Sequence, residues 1–377
     1  MLTAAGASLL AVAVIAPALG GLQHSSPSAS GSSAIELVAT LTVGKSPDGF
    51  AYNSFNNEMY VANGGGSSVY AFNATTNVLL NTIAVKSHPG TLLYDPANHD
   101  TYVADNGVSA VSIIPPSNAA PTTVTVGSEP YELLYDPLTT EVYATVYGAS
   151  YLSAINSSTN AVTHIAGFTD ATAMAYDPAD QSVFVQNAGN STVAVVNRHN
   201  HVTVWIAVNP IGVFGTDYPL SIAYDPANKT VWSLSYGSGY NQVDILNSTS
   251  WVTAFYVFGG ASGGGPESIA YDSANSEMYV TDTIGNQVTV FNSKTYDEVN
   301  VGVDVDPTNV VYDPSNHEVY VSNYGENSVD AIAVSSANVL LTVVNVGANP
   351  DAIAVDSATS AIWVANIGGN TVSVVSG

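Results

Sequence analysis

Three aspartates in this chain share a setting that suits chemistry: Asp48 and Asp351 each follow a proline, and Asp306 precedes one. Carboxylate oxygens are hard donors, and three brought to one point make a ligand set for Ca2+ or another hard cation. Spread around a solvated acidic rim the same residues bind nothing, so their value depends on convergence. A second group is aromatic. Phe214, Tyr218, Tyr236, Tyr240 and Phe258 stand among Gly, Ser and Asn in the stretches 209–218, 236–241 and 258–265. Such rings stack on a sugar or a protein side chain while their hydroxyls hydrogen-bond, unless they fold back to cover the segments that carry them. Catalysis has less to draw on. Of seven histidines only His88 stands beside one of these prolines, and none is spaced from a second His and a carboxylate as a metal site needs. The triplets Gly64-Gly65-Gly66 and Gly263-Gly264-Gly265 precede no helix, so they are not phosphate loops, and no Ser–His–Asp grouping can be argued. No catalytic residue is expected.

A repeat is what aligns residues so far apart. A Tyr, once a Val, followed by Asp or Asn recurs as Tyr52, Tyr94, Tyr135, Tyr176, Tyr224, Tyr271, Tyr312 and Val355. Eight positions after each anchor comes a second aromatic: Tyr60, Tyr102, Tyr143, Phe184, Trp232, Tyr279, Tyr320 and Trp363. The anchors are 42, 41, 41, 48, 47, 41 and 43 residues apart. A strict offset inside a loose period describes one small unit whose length varies only in its loops, and that period with strand-type content indicates a propeller.

One unit reads as four strands. Thr91 to Tyr94 forms an inner strand, Asp95-Pro96-Ala97-Asn98 a type I turn, and Thr101 to Asp105 a second strand that carries the offset aromatic. A third strand carries an aliphatic residue such as Val69, Val111, Leu152 or Val372, and a fourth runs outward to the next proline. Those prolines stand five residues before the anchor in seven units, with Ala171 in the remaining one. Proline opening a strand removes no ladder hydrogen bond, so it marks where each blade begins. Residues next to it, including Asp48, His88, Glu129, Tyr131, Glu267, Asp306 and Asp351, should rim the central channel. The eighth unit stops at Gly377 after its third strand, while an unpaired outer-type strand, Ile35 to Val43, precedes the first unit. The expected fold is therefore all-β: a single closed eight-bladed propeller of four-stranded antiparallel blades, the last completed by the N-terminal strand.

Composition bounds the partners. The chain has 377 residues, 46% apolar and only 9% charged, with five Lys and Arg against thirty Asp and Glu and a formal charge of −25. That balance repels nucleic acid and anionic lipid and favours contact with cations. Cysteine is absent, so disulfides and thiol chemistry are excluded. Residues 1–21 are small and apolar and read as a secretory signal or an uncleaved anchor, although no basic residue precedes Lys45. Residues 22–34 read as a Ser/Pro-rich linker and 35–377 as the propeller. The propeller should then lie outside the cytoplasm, and five Asn-x-Ser/Thr sequons, at Asn73, Asn156, Asn190, Asn228 and Asn247, agree with export.

The second strands Tyr60-Val61-Ala62-Asn63, Tyr279-Val280-Thr281-Asp282, Tyr320-Val321-Ser322-Asn323 and Trp363-Val364-Ala365-Asn366 resemble the YVTN repeat of surface-layer and other exported prokaryotic proteins. The segments Asn327-Ser328-Val329 and Asn370-Thr371-Val372 resemble it too, and the likeness runs through residues 35–377. Units three and five depart, with Val146 and Ser235 where Asn or Asp is usual. Many propellers of that family have seven blades, the alternative to the eight counted here. The resemblance implies surface attachment and recognition and no single activity. The expected function is a non-catalytic, cell-surface module that recognises protein or carbohydrate. It needs no cofactor, Ca2+ excepted, binds no nucleic acid, and does not insert its propeller into a membrane. The alternatives are a structural component of the cell envelope and, because propellers similar to this family include lyases and lactonases, a metal-assisted enzyme of that type.

Overall fold

The architecture follows from how the repeated unit buries its second strand. In the computed structural model, which describes residues 13–14, 34–208, 218–236, 241–248, 250, 253–257, 265–334 and 338–377, that strand is the most enclosed part of every blade. All eight offset aromatics, from Tyr60 to Trp363, are fully buried. They fill the gap between one sheet and the next, and burying each large ring stabilises the fold by about 1.5–3 kcal/mol. Three of them also bond across that gap: the hydroxyls of Tyr60, Tyr143 and Tyr279 donate to Asn118, Asn200 and Asn338, respectively, of the following blade, each at 2.7 Å. A strict offset is thus a geometric requirement, since a ring one residue away would point to the other face of the sheet.

Eight four-stranded antiparallel blades result. Blade one comprises Pro47–Asn53, Glu58–Asn63, Ser68–Asn73 and Leu79–Ala84, and blade two Pro89–Tyr94, Thr101–Asp105, Ala110–Ile114 and Thr122–Thr125. The inner strands of the others are Pro130–Asp136, Ala171–Asp177, Tyr218–Asp225, Pro266–Asp272, Pro307–Asp313 and Pro350–Asp356. The count settles the choice against seven blades. Eight hydrophobic clusters fill the eight inter-blade gaps, the last of them packing Trp363, Val372 and Val374 of blade eight against Met59, Val61 and Phe72 of blade one. A two-residue strand, Ala13–Val14, runs parallel to the outer strand Thr253–Val257 of blade five.

The Asp or Asn that follows the anchor ends each inner strand or, in blade two, stands just beyond it, and that side chain is fully buried in all eight blades. Its Oδ1 accepts the backbone N–H two residues on, as in Ala97 to Asp95 and Ala274 to Asp272, both at 2.7 Å. The residue five after the anchor then takes a left-handed conformation in every blade, from Asn57 to Ser360, closing a type I turn with a bulge. The anchor tyrosines Tyr135, Tyr176 and Tyr312 sit against the buried Asp of the preceding blade; desolvation and that carboxylate push their hydroxyls up to about 12.

Closure takes the form expected. Leu37–Thr42 pairs antiparallel with Thr371–Val375 and becomes the outer strand of blade eight. Beyond the ladder, the Glu36 N–H donates to Ser376 Oγ at 2.9 Å and the Ser46 N–H to Asn370 Oδ1 at 2.9 Å. Deleting residues 35–44 removes a whole strand from one blade and uncovers Thr371–Val375 as an edge. The shortened protein should melt about 10 °C or more below the parent and associate in solution, as read by calorimetry and light scattering; an unchanged melting temperature with a monodisperse peak would show that the ring does not depend on this clasp.

Candidate functional site

The channel mouth is shaped by a conformation that these residues adopt against their own preference. Ser46, His88, Glu129, Asp170, Asp306 and Asn349, each just before the proline position, have φ between 47° and 60°. A side chain with a Cβ in that region is strained. The turn between strands two and three holds it there: N–H groups of Gly64, Asn106, Tyr147, Ala188, Tyr324 and Ile367 donate to those six carbonyls at 2.8–3.2 Å. Room for so close a turn comes from glycine where it is tightest. A Cβ on Gly107 would stand 2.5 Å from His88 Nδ1 and 2.8 Å from the Ser87 carbonyl.

Immediately inside, every inner strand carries a register shift, for example between Pro130 and Leu133 or Pro47 and Gly49. Such a bulge re-aims side chains and frees backbone groups. Hydroxyls of the second strand take them up: Thr145, Thr281 and Ser322 accept the N–H of Glu132, Ser268 and Asn309 at 2.9–3.1 Å. The same hydroxyls donate to the carbonyls of Thr172, Thr308 and Asp351 in the following blade, at 3.1, 3.1 and 2.7 Å. In three blades, then, the third residue of the YVTN-like strand bridges its own bulge and its neighbour. The fourth is structural as well, since Asn63, Asn187 and Asp282 accept N–H groups of Gly44, Thr169 and Gly265 in the loop leading into the blade.

Held in this way, the mouth opens into a bowl of about 700 Å3. Its walls are Ser46, Asp48, Gly64 and Gly65 of blade one, His88, Asn106 and Gly107 of blade two, Glu129, Tyr131 and Tyr147 of blade three, and Ile367 of blade eight. Tyr131 and Tyr147 are 56% and 44% exposed, so both rings offer apolar surface to a ligand. His88 Nδ1 shares a 2.7 Å hydrogen bond with Ser87 Oγ. Among the described residues, neither Lys nor Arg lines the bowl.

Several carboxylates on the inner strands are raised. Desolvation, followed by the charge of Asp351, raises Asp48 to about 6. Asp48 is nonetheless exposed to solvent. Desolvation, with Asp351 and then Asp306, raises Glu267 to about 7. Asp351 is itself raised by burial, less so because Asn309 Nδ2 donates to it at 3.0 Å. Glu132 is raised to about 8 by desolvation, against the opposing effect of the Met174 N–H, which donates to Oε2 at 2.9 Å.

The three aspartates singled out as cation ligands thus belong to one electrostatic neighbourhood. Among the described residues, however, no three His, Cys, Asp or Glu side chains are grouped closely enough to hold a metal ion. Of the aromatic group, Phe214, Tyr240 and Phe258 lie outside the described residues. Tyr218 and Tyr236 open and close the first two strands of blade five and face each other in the backbone register. Two contributors had not been singled out. Tyr147 occupies the same place after its anchor as Tyr236 does, a signal the sequence carried. Glu132 lies in the bulge of its strand and reaches Met174 of blade four, and nothing in the residue pattern announces that shift.

No protein-family model matches the chain, and no curated protein does. Solved structures do. The chain is similar to a hydrazine synthase chain of Kuenenia stuttgartiensis (15% identity, 78% of this chain and 96% of that one, TM-score 0.63). It is similar also to virginiamycin B lyase of Staphylococcus aureus (10%, 91% and 99%, 0.59) and to Sqt1 of Saccharomyces cerevisiae (12%, 90% and 98%, 0.74). Likeness at such identities shows a propeller fold and nothing about activity.

The raised carboxylates have a sign. A carboxylate whose pKa is higher in the fold than in the unfolded chain contributes stability below its unfolded value and loses it as pH rises through the folded one. For Asp48, Glu267 and Glu132 that window runs from about pH 4 to about pH 8. Glu132→Gln keeps an oxygen for the Met174 N–H and removes the charge. It should stabilise the protein at pH 8 by on the order of 1–2 kcal/mol, discounted for the partial exposure of Glu132, and change little at pH 4. Equal melting temperatures for parent and variant at both pH values would show that Glu132 titrates normally.

Proposed function

We propose that this protein is an exported, non-catalytic recognition propeller of the YVTN-repeat type that captures a protein or carbohydrate at its channel mouth. The observation that carries this reading is the open bowl, in which two exposed tyrosines stand beside carboxylates and hydroxyls on a preformed backbone. Ligand sites of this kind join apolar contact area with a few placed polar groups, and its volume suits a sugar ring or a short side-chain cluster. Export rests on the apolar N-terminal segment and the repeat resemblance. A structural role in the cell envelope uses the same fold, and exposed apolar residues on outer strands, such as Leu79, Leu80, Val299 and Val343, favour it as the second reading.

The test compares two sectors of the mouth. Tyr131→Ala/Tyr147→Ala removes both rings from the bowl, while Tyr236→Ala/Tyr240→Ala addresses blade five. On glycan and peptide arrays the first variant should lose at least tenfold in capture, with its melting temperature within about 3 °C of the parent, since neither ring is buried. Full retention by it, with loss in the second, moves the site to blade five. Parent protein that captures nothing and assembles into sheets on concentration supports the envelope role instead.

A further inference from the structure

We propose that Asn73 and Asn156 are N-glycosylated, on the face of the propeller opposite the bowl. Such sites are modified in exported proteins, so the inference rests on the export reading and goes beyond it. Each residue ends the third strand of its blade, Ser68–Asn73 in blade one and Tyr151–Asn156 in blade three. The turn that follows is fastened to the turn between strands one and two. The Ala74 N–H donates to the Asn57 carbonyl at 3.1 Å, and the Ser157 N–H to the Thr140 carbonyl at 3.0 Å. Both turns therefore lie at the end of the blade away from the entry prolines. Asn247 holds the same station in blade five, but its sequon runs to Thr249, outside the described residues.

The fold accounts for the asparagine in these turns but not for the hydroxyl two residues on. Oδ1 of Asn73 or Asn156 accepts the N–H groups two and three residues later and the hydroxyl of Thr76 or Thr159, at 2.8–3.2 Å. That Asx turn asks nothing of the side chain at the sequon's third position. Asn197 and Asn292 build it in blades four and six with His199 and Lys294 there, whose N–H groups donate at 2.9 and 3.0 Å. Thr75 and Ser158 are exposed; Thr75 Oγ1 accepts only Asn57 Nδ2 at 3.0 Å. Nδ2 of Asn73 and of Asn156 makes no hydrogen bond to any described residue. Two other sequons contrast with them. Asn228 Nδ2 donates to Asp225 Oδ2 at 2.6 Å and to Ser293 Oγ at 2.8 Å, and the buried Thr230 hydroxyl accepts Trp232 Nε1. In the turn at Asn190 the Thr192 hydroxyl donates to Asn190 Oδ1, so the fold uses it.

In the transfer, Nδ2 attacks the anomeric carbon of a lipid phosphate-linked oligosaccharide and forms an N–C bond. The anomeric C–O bond breaks, its electron pair leaves with the phosphate, and Nδ2 gives one proton to the transferase. The product keeps Oδ1 and one N–H, so both turns survive the modification. Bulky, hydrated sugars there would cover the far face of two blades that wall the bowl and leave the bowl open.

Glycopeptide mass spectrometry on the full chain, recovered from the cells that make it, provides the test, with its location read by protease accessibility on intact cells. Chymotryptic peptides that contain Asn73 and Asn156 should carry a sugar adduct, and the peptide with Asn228 none. Thr75→Ala and Ser158→Ala should each lose the adduct at their own asparagine alone, with melting temperatures within about 3 °C of the parent. Thr75→Ser keeps the sequon and should keep the adduct, as should Thr76→Ala, which cuts only the hydroxyl bond to Oδ1. Bare Asn73 and Asn156 in protein that is accessible outside the cell overturns this inference and leaves export standing. Bare protein shielded inside the cell removes both. An adduct that persists in Thr75→Ala and Ser158→Ala, or that sits on Asn228 in place of these two, also overturns the proposal.

Discussion

A circle of sheets lacks a free edge only when its last member is complete, and here completion depends on main-chain hydrogen bonds between the two ends of the propeller. Leu37–Thr42 lies in register with Thr371–Val375, and the cluster around Trp363 then joins blade eight to blade one as the other clusters join their neighbours. With no cysteine to cross-link the ends, this ladder is what makes the eighth gap equivalent to the other seven. The inward-facing residues of blades one and eight, Asp48 and Asp351, are neighbours only because of it.

Regularity at the level of the blade produces irregularity where a ligand would arrive. The buried second strand and its aromatic ring fix each sheet. The bulge, the left-handed residue before the proline position and the hydroxyl bridge of Thr145, Thr281 or Ser322 then turn the start of the inner strand into a lined opening. None of these devices acts alone: the left-handed carbonyl is held by the strand two–three turn, and the bulged N–H by the second strand. The unfavourable conformations are therefore offset by hydrogen bonds from parts of the blade that packing already holds still.

Much of this was legible beforehand, for reasons visible in particular residues. The offset from Tyr279 back to Tyr271, repeated eight times, encodes a cross-sheet distance and so gave blade number and strand order. Unit eight stopped after its third strand, and Ile35 to Val43 supplied the fourth. That Asp48 and Tyr131 line the mouth followed from proline spacing alone. What stayed hidden depended on backbone conformation. Ser46, His88, Glu129 and Asp306 have no chemistry in common, so their shared left-handed φ leaves no residue signature. Glu132 was missed because simple alternation of faces fails at a bulge. Asn63 and Asp282 stood out only as the fourth position of the repeated strand, and they fasten the loop that enters their own blade.

One property of the rim reaches further than any single ligand. Its shape is dictated by carbonyls, amides and the turn behind them, while the side chains that decorate it contribute little to holding it. Ser, His, Glu, Asp and Asn all occupy equivalent stations without disturbing the frame. Such a scaffold behaves like a dial whose eight settings can be changed one at a time, so descendants of this chain could acquire new tastes by drift at those stations long before their architecture changed.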